Sequence, residues 1–269
     1  MSKIKVAVIG AAGRMGQRLV ANIMAASDME LAGALEMPQC AAVGTDSGIL
    51  AGAGANGIPI TADPKEALEG VQAIINFSTS GVVEMTRMAA EMGASSVIGT
   101  TALSVAEKKA LARLAKGGAR IVFAPNMSVG VNLLFHLAGM TAKLLGDEYD
   151  IEVVEMHHNL KKDAPSGTAV RLGEILADAR GLSYKEDVRH GRSGITGERP
   201  RAEIGMHALR GGDVVGDHTV IFAVGGERVE LSHKASSRDT FAKGALRAVR
   251  FLATAAPGLY DMQDVLKLK

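Results

Sequence analysis

Residues 4–16 read IKVAVIGAAGRMG, and this stretch decides the fold of the N-terminal half of the chain. Its first six residues, 4–9, are a short apolar and β-branched run of the kind found in strands buried on both faces of a sheet. A glycine-rich turn follows, and a helical pattern extends from about residue 14 to 26. A second apolar run over 30–36 then completes the sequence pattern of a βαβ unit.

The turn has a composition that suits a dinucleotide phosphate. Gly10, Gly13 and Gly16 stand at relative positions 1, 4 and 7, whereas the usual fingerprint has glycines at 1, 3 and 6. Glycines let the backbone approach a pyrophosphate, and the following helix N-terminus offers N–H groups. Glu36 lies 20 residues beyond Gly16, where an acidic residue binds the ribose hydroxyls of such a cofactor. The pattern predicts a dinucleotide site, and the alternative is an ordinary βαβ unit with a solvated glutamate.

Strand and helix patterns continue to alternate up to about residue 124. Strands are predicted over 73–78, 95–99 and 120–124, and helices from Asp63-Pro64, over 82–92 and, with a Ser104/Glu107 capping box, over 105–116. Such alternation predicts a parallel sheet with helices on both faces. Ligands of these sheets bind beyond the carboxyl ends of the strands, so the residues after each strand are candidates for a cofactor site.

The pattern changes after about residue 128. Helices are predicted over 129–145 and 167–179, strands over 149–157, 204–209, 214–224 and 228–234, a mobile loop over 183–203 and helix for the last 30 residues. Glycine pairs at 211–212 and 225–226 suggest antiparallel hairpins. We therefore expect an α/β protein with a doubly wound, Rossmann-like domain (1–128 plus about 240–269). A second, α+β domain (129–239) would be built on a mostly antiparallel or mixed sheet.

Composition and charge narrow the classes of function. Lys and Arg number 30 and Asp and Glu 29, so the net charge of +1 gives no sign of a nucleic-acid binder. The single cysteine, Cys40, leaves no internal disulfide and fits a reducing compartment. No apolar stretch is expected to reach the roughly 20 residues that span a bilayer, and the run from Val6 to Ala12 is broken too early for a signal peptide. We expect a cytoplasmic protein with no nucleic-acid or membrane partner.

The densest group of reactive side chains lies at 155–168, EMHHNLKKDAPSGT. Two histidines, two lysines and an aspartate follow a predicted strand, and Ser166 is placed to cap a helix. Gly167 and Thr168 would then lie in the first helical turn, where N–H groups and a hydroxyl hold carboxylates. This favours an anion site suited to a di-acid. A zinc site and a plain polar loop are the alternatives. Neighbouring residues at a strand end point in different directions, and no metal-ligand spacing supports zinc. No metal is therefore expected.

These motifs together resemble the 4-hydroxy-tetrahydrodipicolinate reductase family, bacterial enzymes of the diaminopimelate and lysine pathway. The resemblance runs from the first strand to the final helix. It is carried by GAAGRMG (10–16), VIGTT (97–101), APNMSVGVN (124–132), EMHHNLKKDAPSGTA (155–169) and HKASSR (233–238). Membership implies NAD(P)H-dependent reduction of 4-hydroxy-tetrahydrodipicolinate to tetrahydrodipicolinate, with loss of water. It also implies a small dicarboxylate substrate and a homotetramer joined through the sheet of the second domain.

The resemblance further implies roles for individual residues. His157 would be the acid/base residue and Lys161 the proton donor. The substrate carboxylates would be held by His158, Gly167, Thr168 and Arg238. The cofactor would be lined by Gly10, Ala11, Ala12, Gly13, Arg14, Met15, Glu36, Gly99, Thr100, Thr101, Ala124, Pro125, Asn126 and Met127. A Lys and a His suit a reaction in which hydride adds to a conjugated ring and protonation quenches the negative charge.

Two departures from the family pattern bear on the cofactor. Many members carry Arg directly after the acidic residue of the second strand, where this chain has Met37. Some carry Arg in the loop after the third strand, where this chain has Thr79. Both differences remove positive charge near the position of a ribose 2′-phosphate. We therefore expect NADH to be favoured over NADPH.

Two other functions stay open on sequence alone. Another imine or amino-acid dehydrogenase of similar build would have to reuse the HHxxK segment at 157–161. A regulator that senses the dinucleotide would not need a charged proton-donor cluster. The loop 183–203 contains Arg189, Arg192, Arg199 and Arg201, which we interpret as solvated charge rather than as an anion trap.

Overall fold

The structure, a computed structural model, describes residues 2–101 and 103–269, and the chain divides into two units. The first unit comprises the chain up to Val129 together with Arg238–Lys269, and the second comprises Gly130–Ser237. Each unit has its own buried apolar core.

A parallel sheet forms the centre of the first unit. Its strands are β1 Ile4–Ile9, β2 Met29–Leu35, β3 Ala73–Asn76, β4 Ser95–Ile98, β5 Arg120–Phe123 and β11 Gly258–Tyr260. They lie in the order β11-β5-β4-β3-β1-β2, and every neighbouring pair is parallel. Val6 and Val8 of β1 belong to one core cluster, while Ala7 and Ile9 belong to another. Burial on both faces accounts for the continuous apolar run that predicts this strand.

Helices cover this sheet, and their starts follow the sequence signals. Their bounds are α1 Arg14–Ala25, α2 Ser47–Leu50, α3 Pro64–Leu68, α4 Val82–Glu91, α5 Val105–Lys116, α9 Asp239–Leu252 and α10 Met262–Val265. The carboxylate of Asp63 accepts a hydrogen bond from Lys65 N at the start of α3, and Ser104 and Glu107 form a capping box at α5. Both predicted caps are therefore confirmed.

The C-terminal segment returns to the first unit through α9. Val249 of α9 shares a core cluster with Leu19 of α1, and Arg18 donates two hydrogen bonds to the carboxylate of Asp239 at 2.6 and 2.7 Å. A helical C-terminus is the correct prediction for α9 and for the short α10, but it is wrong for Gly258–Tyr260, because β11 adds an edge strand beside β5. The pairing involves three residues, a length too short to produce a readable periodicity.

The second unit is built on a mixed sheet. Its strands are β6 Asp150–His157, β7 Val188–His190, β8 Ile204–Arg210, β9 Gly216–Val224 and β10 Glu227–Ala235, in the order β10-β9-β6-β8-β7. The pairs on the β10 side of β6 are antiparallel and those on the β8 side are parallel. Alternate residues of β6 are buried, so one face of the strand points into the core. The helices are α6 Val129–Leu145, α7 Gly167–Arg180 and α8 Tyr184–Asp187, with a 3₁₀ turn over Gly146–Glu148.

Two predictions for this unit are wrong. Gly211 and Gly212 do not close a hairpin, because β6 lies between β8 and β9. Gly225 and Gly226 do join the antiparallel strands β9 and β10, as predicted. The stretch 183–203 is not all loop, since it contains α8 and β7. Strand β8 pairs in parallel with β6, and a pairing between segments so far apart in the chain leaves no local sequence signal.

Helix α6 and the 3₁₀ turn after it form a continuous helical segment, Val129–Glu148, of 20 residues. By length and composition alone this segment is long and apolar enough to cross a membrane, so the expectation that no apolar stretch reaches such a length is wrong. The core helix of a soluble protein meets the same criterion. Val131, Leu134 and Ala138 of α6 are buried in the core cluster of the second unit, so one face of this helix packs against that core.

Candidate active site

The glycine turn after β1 has the geometry of a phosphate cradle. Gly10 has a φ of 81°, a left-handed conformation that favours glycine. A Cβ on Gly16 would lie 2.0 Å from the carbonyl oxygen of Gly10, so the turn and the start of α1 pack backbone against backbone. Gly13 is the N-cap of α1 and has no side chain that would occupy the helix amides. The N-terminus of α1 therefore presents N–H groups and a partial positive charge, which fit a pyrophosphate.

The carboxylate of Glu36 reaches this turn from the end of β2. Its Oε2 accepts a hydrogen bond from Ala12 N at 3.1 Å, and its Oε1 accepts one from Met37 N at 3.0 Å. These two bonds fix a half-buried carboxylate beside the glycine turn, the place from which an acidic residue binds ribose hydroxyls. The side chain of Met37 next to it is 50% exposed.

The remaining cofactor candidates follow the carboxyl ends of β4 and β5. Thr100 Oγ1 donates to the carbonyl oxygen of Ser78 at 2.7 Å, which ties the segments after β3 and β4 together. Gly99 leaves room for the ring of Phe77, since a Cβ there would lie 2.2 Å from a ring carbon. The side chain of Met127 is buried in the core, so its backbone is the part that can line a ligand. Arg14, Thr101 and Pro125 are exposed, Ala12, Met15 and Asn126 are half-buried, and Ala11 and Ala124 are buried.

A buried carboxylate and an imidazole meet at the C-terminal end of β6. Glu155 and His157 are two residues apart in a strand and therefore point to the same face. His157 Nδ1 lies 2.6 Å from Oε2 of Glu155. Arg210, the last residue of β8, donates to the two carboxylate oxygens at 2.9 and 3.0 Å, and Ser166 N donates to Oε1 at 3.0 Å. These bonds compensate the cost of burying the charge.

Burial and hydrogen bonding set the charge state of this pair. Burial would raise the pKa of Glu155, but hydrogen bonds from Arg210, His157 and the Ser166 amide lower it below the usual range. Burial also lowers the pKa of His157 below 6.5, and this outweighs the nearby Glu155 carboxylate, which raises it. Near neutral pH the pair is an ionised carboxylate and a neutral imidazole. Because an ionised carboxylate only accepts hydrogen bonds, the imidazole proton lies on Nδ1.

Lys161 lies in the loop that follows β6. Its Nζ is 2.9 and 2.8 Å from the two carboxylate oxygens of Asp163, and it is close enough to His157 for its positive charge to lower the pKa of that histidine. The loop is held by its backbone, since Lys161 N donates to the carbonyl oxygen of His158 at 3.1 Å and His158 N to that of Val214 at 2.8 Å. Nδ1 of His158 is buried and, among the described residues, has no hydrogen-bond partner.

The N-terminus of α7 lies beside this cluster. Ser166 is the N-cap, and its Oγ accepts a hydrogen bond from Ala169 N at 3.2 Å, so the predicted cap is confirmed. The same Oγ lies 3.0 Å from Nε2 of His218 on β9. Burial lowers the pKa of His218 to about 3, so this imidazole is neutral. Gly167 and Thr168 follow in the first helical turn, where the backbone amides point out of the helix and its partial positive charge favours a carboxylate.

The candidate residues are divided between the two units. The second unit contains the candidates for proton transfer, His157 and Lys161. It also contains three of the four candidates for substrate binding, which are His158, Gly167 and Thr168. Arg238 belongs to the first unit, where it is the N-cap of α9. The residues with cofactor assignments also belong to the first unit. In the described ranges, 2–101 and 103–269, no group of three or more His, Cys, Asp or Glu side chains is placed to hold a metal ion.

Three of the four arginines of the 183–203 stretch lie in ion pairs. Arg192 and Arg199 reach Glu152 Oε1 at 2.7 and 2.9 Å, and Arg189 and Arg192 reach Glu203 at 3.6 and 2.5 Å. The interpretation as solvated loop charge is therefore wrong for Arg192 and Arg199, whereas the side chain of Arg189 is 42% exposed. Arg192 and Arg199 fasten the stretch to the sheet of the second unit, because Glu152 belongs to β6.

Three residues of the cluster were not found by sequence reasoning. The period of two in a strand could have revealed Glu155, because it places this residue on the same face as His157. Arg210 and His218 reach the cluster through the pairing of β8 and β9 with β6, which no local pattern encodes.

Comparisons with known proteins give a consistent result over the full length of the chain. Residues 4–127 match the family described as "Dihydrodipicolinate reductase, N-terminus", and residues 130–266 match "Dihydrodipicolinate reductase, C-terminus". The chain is 50% identical over 267 residues to a 4-hydroxy-tetrahydrodipicolinate reductase of Geotalea daltonii, covering 99% of this chain and 100% of that protein. It is 49% identical over 266 residues to the protein of the same name from Hahella chejuensis, covering 98% and 99%.

Solved structures agree at the level of the fold. The dipicolinate-bound dihydrodipicolinate reductase from Paenisporosarcina sp. TG-14 superposes with a TM-score of 0.76 at 23% identity, covering 97% of this chain and 98% of that chain. An amine dehydrogenase from Mycobacterium smegmatis superposes with a TM-score of 0.58 at 16% identity, covering 96% and 94%. The second match shows that other dehydrogenases share the architecture, so the fold alone does not select a substrate.

Proposed function

The chain belongs to the dihydrodipicolinate reductase family, and we propose that it performs the reaction of this family with His157 and Lys161 as its proton-transferring residues. It is an NAD(P)H-dependent oxidoreductase that reduces 4-hydroxy-tetrahydrodipicolinate to tetrahydrodipicolinate, with loss of water, in the diaminopimelate route to lysine. The residue assignment rests on one observation. The imidazole of His157 stands at the end of β6 and is linked through Glu155 to Ser166, the N-cap of α7, while Lys161 follows in the next loop.

The substrate carries two carboxylates, and the second unit offers matching groups. The first-turn amides at Gly167 and Thr168 are placed to hold one carboxylate, helped by the partial positive charge of the N-terminus of α7. His158 and Lys161 are close in the same loop, and both side chains can donate a hydrogen bond to a carboxylate. Arg238, in the first unit, is proposed as a further carboxylate ligand on the basis of the family resemblance.

The two proton-transferring residues differ in chemistry, which suits different roles. The side-chain nitrogen of Lys161 is the proposed proton donor, since the hydride leaves negative charge on the substrate ring that a proton must neutralise. His157 is neutral, with its proton on Nδ1 facing Glu155, so Nε2 is an acceptor. Nε2 is therefore proposed to accept a hydrogen bond or a proton from the substrate.

The first unit fits the nicotinamide dinucleotide. Two features of the structure support this fit: the N-terminus of α1 is free of a capping side chain, and Glu36 is held beside the glycine turn by Ala12 N and Met37 N. When bound, the reduced nicotinamide supplies the hydride. The chain's own residues hold the phosphates at Gly10–Met15 and the ribose at Glu36.

NADH is proposed as the favoured form of the cofactor. Glu36 places a negative charge where the 2′-phosphate of NADPH would lie, and Met37 beside it is apolar. Thr79, after β3, is exposed and uncharged. A phosphate at this position would meet repulsion from the carboxylate without a compensating cation from these two positions.

A homotetramer and a cytoplasmic location are also proposed. The tetramer follows from the family resemblance and would be joined through the sheet of the second unit, where Leu209 is 49% exposed. Light scattering during size-exclusion chromatography measures the assembly, and a monomer of about 28 kDa would contradict it. The cytoplasmic location is supported by the single cysteine, Cys40, which suits a reducing compartment.

A coupled assay tests the proposed function. Dihydrodipicolinate synthase, supplied with its two substrates, generates the unstable substrate in the cuvette, and the loss of NADH absorbance is followed after this protein is added. We expect oxidation that requires the synthase and both of its substrates. A 2-oxo acid with ammonia is the comparison substrate for an amino-acid dehydrogenase. NADH oxidation with that mixture and none with the synthase product would contradict the proposal.

A further inference from the structure

Glu155 is a fully buried carboxylate to which the chemistry proposed above gives no role. Its side chain is 0% exposed, and both oxygens are fully used. Oε2 accepts hydrogen bonds from His157 Nδ1 (2.6 Å) and Arg210 (2.9 Å), and Oε1 accepts them from Arg210 (3.0 Å) and Ser166 N (3.0 Å). Four donors for two oxygens is the full capacity of an ionised carboxylate.

We propose that Glu155 is the positioning residue of His157: it fixes the imidazole in the tautomer that carries its proton on Nδ1, leaves Nε2 as the acceptor, and joins the imidazole to the N-terminus of α7 through Ser166. This proposal rests on the proposed function, in which His157 acts on the substrate. Glu155 itself does not touch the substrate and acts only through its hydrogen bonds.

The tautomer follows from the donors that surround the carboxylate. Arg210 and the Ser166 amide can only donate, and they hold Glu155 ionised inside the protein. An ionised carboxylate 2.6 Å from Nδ1 requires a proton on that nitrogen. Because the pKa of His157 is lowered, the imidazole carries a single proton near neutral pH, and Nε2 is left with its lone pair.

The ring is also confined by its other neighbours. His218 meets it edge to face, with ring centroids 5.2 Å apart and planes at 77°. A Cβ on Gly216 would lie 3.0 Å from Nε2 of His157, so the strand passes close to the ring at a position without a side chain. A flip of the ring would remove Nδ1 from Glu155 and leave the buried carboxylate short of a donor, so the observed orientation is the favoured one.

The charged and titratable groups around His157 come from each neighbouring element. Glu155 lies on its own strand, Arg210 on β8, His218 on β9 and Lys161 in the loop after β6. Arg210 and Lys161 lower the pKa of His157, whereas Glu155 raises it, and His218 is neutral. Removal of the Glu155 charge therefore lowers the pKa of His157 further. In a profile of kcat against pH, the acid limb is expected to move to lower pH.

Glu155→Gln is the discriminating variant. The carbonyl oxygen of Gln accepts hydrogen bonds, but its amide nitrogen can donate to Nδ1, which would move the imidazole proton to Nε2 and reverse the tautomer. An amide in place of the carboxylate partner of a serine-protease histidine lowers kcat by about 10⁴ through this effect. We expect a loss in kcat of about 10²- to 10⁴-fold, little change in the Kd for NADH, and partial recovery in Glu155→Asp, which restores the carboxylate.

Glu152→Gln is the matched control. Glu152 is a carboxylate of the same strand with arginine and histidine partners, and it points to the opposite face of the sheet. The control separates the loss of an ion pair from the loss of the His157 contact. It is expected to lower the stability of the protein and to leave the pH profile and kcat unchanged.

The tautomer itself is measured by ¹⁵N NMR of the histidines in the wild-type protein, with His157→Gln giving the assignment. Protonated Nδ1 and unprotonated Nε2 in neutral His157 support the proposal. A neutral Nε2–H tautomer overturns it, whether or not Glu155→Gln folds. A folded Glu155→Gln variant with wild-type kcat and pH profile overturns it as well. Failure of the coupled assay with wild-type protein would overturn the proposed function. The NMR measurement of the His157 tautomer does not depend on that assay, so the two failures can be told apart.

Discussion

The ammonium nitrogen of Lys161 lies 2.8 Å from Oδ2 of Asp163, two residues further along the same loop. The side chain of Asp163 is 64% exposed, and hydrogen bonding to Lys161 lowers its pKa. The side chain of Lys161 is 19% exposed, but solvent around the Asp163 carboxylate screens the pair, which therefore contributes only about 1 kcal/mol to stability. Lys161 is therefore held in place by a partner that a dicarboxylate substrate can replace at little cost.

Lys161→Ala is expected to lower kcat by about 10²- to 10⁴-fold, because it removes the proposed proton donor. The Kd for NADH should change by less than about twofold, since the cofactor candidates belong to the other unit of the chain. The coupled assay gives kcat, and quenching of NADH fluorescence gives the Kd. The same result is expected for His157→Ala.

Lys162→Ala is the control for this prediction. Lys162 is the neighbouring lysine and is exposed. Because each variant replaces one lysine by alanine, the net charge of the protein falls equally in both. Near-wild-type kcat is expected for it. If Lys161→Ala and His157→Ala lose NADH affinity as strongly as they lose turnover, the assignment of roles is wrong.

Cofactor preference is predicted to depend on residue 37. Met37→Arg places a guanidinium beside Glu36, where it can pair with a 2′-phosphate. We expect the ratio of kcat/KM for NADPH to that for NADH to rise about tenfold or more, the effect of one hydrogen bond to a charged group. Steady-state kinetics with each cofactor at saturating substrate measure this ratio.

Met37→Gln is the matched control, since its side chain has a similar length and no charge. It is expected to leave the ratio within about twofold of the wild-type value. A clear preference of the wild-type protein for NADPH would contradict the NADH proposal. In that event a cation from another position must reach the ribose pocket.

Much of the first unit is predictable because its signals are local. The run of apolar residues at 4–9, the glycine turn and the caps at Asp63 and Ser104 each act within a few residues. The mixed sheet is harder to predict, because the position of β8 beside β6 depends on a pairing such as Ile151 with Ile204. Sheet order is a property of tertiary packing, and the glycine pair at 211–212 therefore leads to the wrong prediction of a hairpin.

The candidate site also combines residues with local sequence signals and residues that only strand pairing brings together. His157, Lys161 and Ser166 are neighbours in the chain, so the sequence alone is enough to mark their segment as a candidate site. Arg210 joins the cluster from a strand more than 50 residues away, and no local pattern reveals the partner of its guanidinium. Sequence reasoning therefore finds the groups proposed to act on the substrate but not the buried charges that orient them.

The glycine turn makes a prediction about stability. Gly16→Ala places a Cβ 2.0 Å from the carbonyl oxygen of Gly10, and because that atom is backbone, the turn must shift. Overpacking of this kind costs about 1–3 kcal/mol. We expect a lower midpoint of thermal unfolding and weaker NADH binding, both measurable by differential scanning fluorimetry with and without NADH.

Gly13→Ala is the comparison for the stability effect. Its Cβ would lie 3.3 Å from the same oxygen, a tight contact that small adjustments can relieve, and its φ of −68° suits alanine. A smaller loss of stability is expected than for Gly16→Ala. Equal losses of stability in the two variants would mean that the close contact between a Cβ at Gly16 and the carbonyl oxygen of Gly10 is not the cause of the loss.

Glu152 on β6 is the centre of the ion pairs that fasten residues 192–203 to the sheet. Burial would raise the pKa of Glu152, but hydrogen bonds from Arg192, His207 and Arg199 outweigh this effect and lower the pKa from 4.5 to about 2. Gly205 on the neighbouring strand leaves room for the carboxylate, since a Cβ there would lie 1.8 Å from Oε2. The carboxylate is thus ionised and enclosed by donors in the folded protein.

The lowered pKa makes the stability of the protein depend on pH in a defined window. A carboxyl group whose pKa is lower in the folded than in the unfolded chain stabilises the fold above its unfolded value, and the gain is lost as the pH falls from about 4.5 towards about 2. At pH 7, the free energy of unfolding of Glu152→Gln should therefore be lower than that of wild type by about 1–3 kcal/mol, and this difference should shrink below pH 4.5.

Urea unfolding followed by circular dichroism at pH 7, 5, 4 and 3 measures the difference in the free energy of unfolding between variant and wild type. The control is Glu198→Gln at an exposed position, for which no pH-dependent difference is expected. A constant difference between Glu152→Gln and wild type across this range would show that Glu152 contributes by packing and not by its charge.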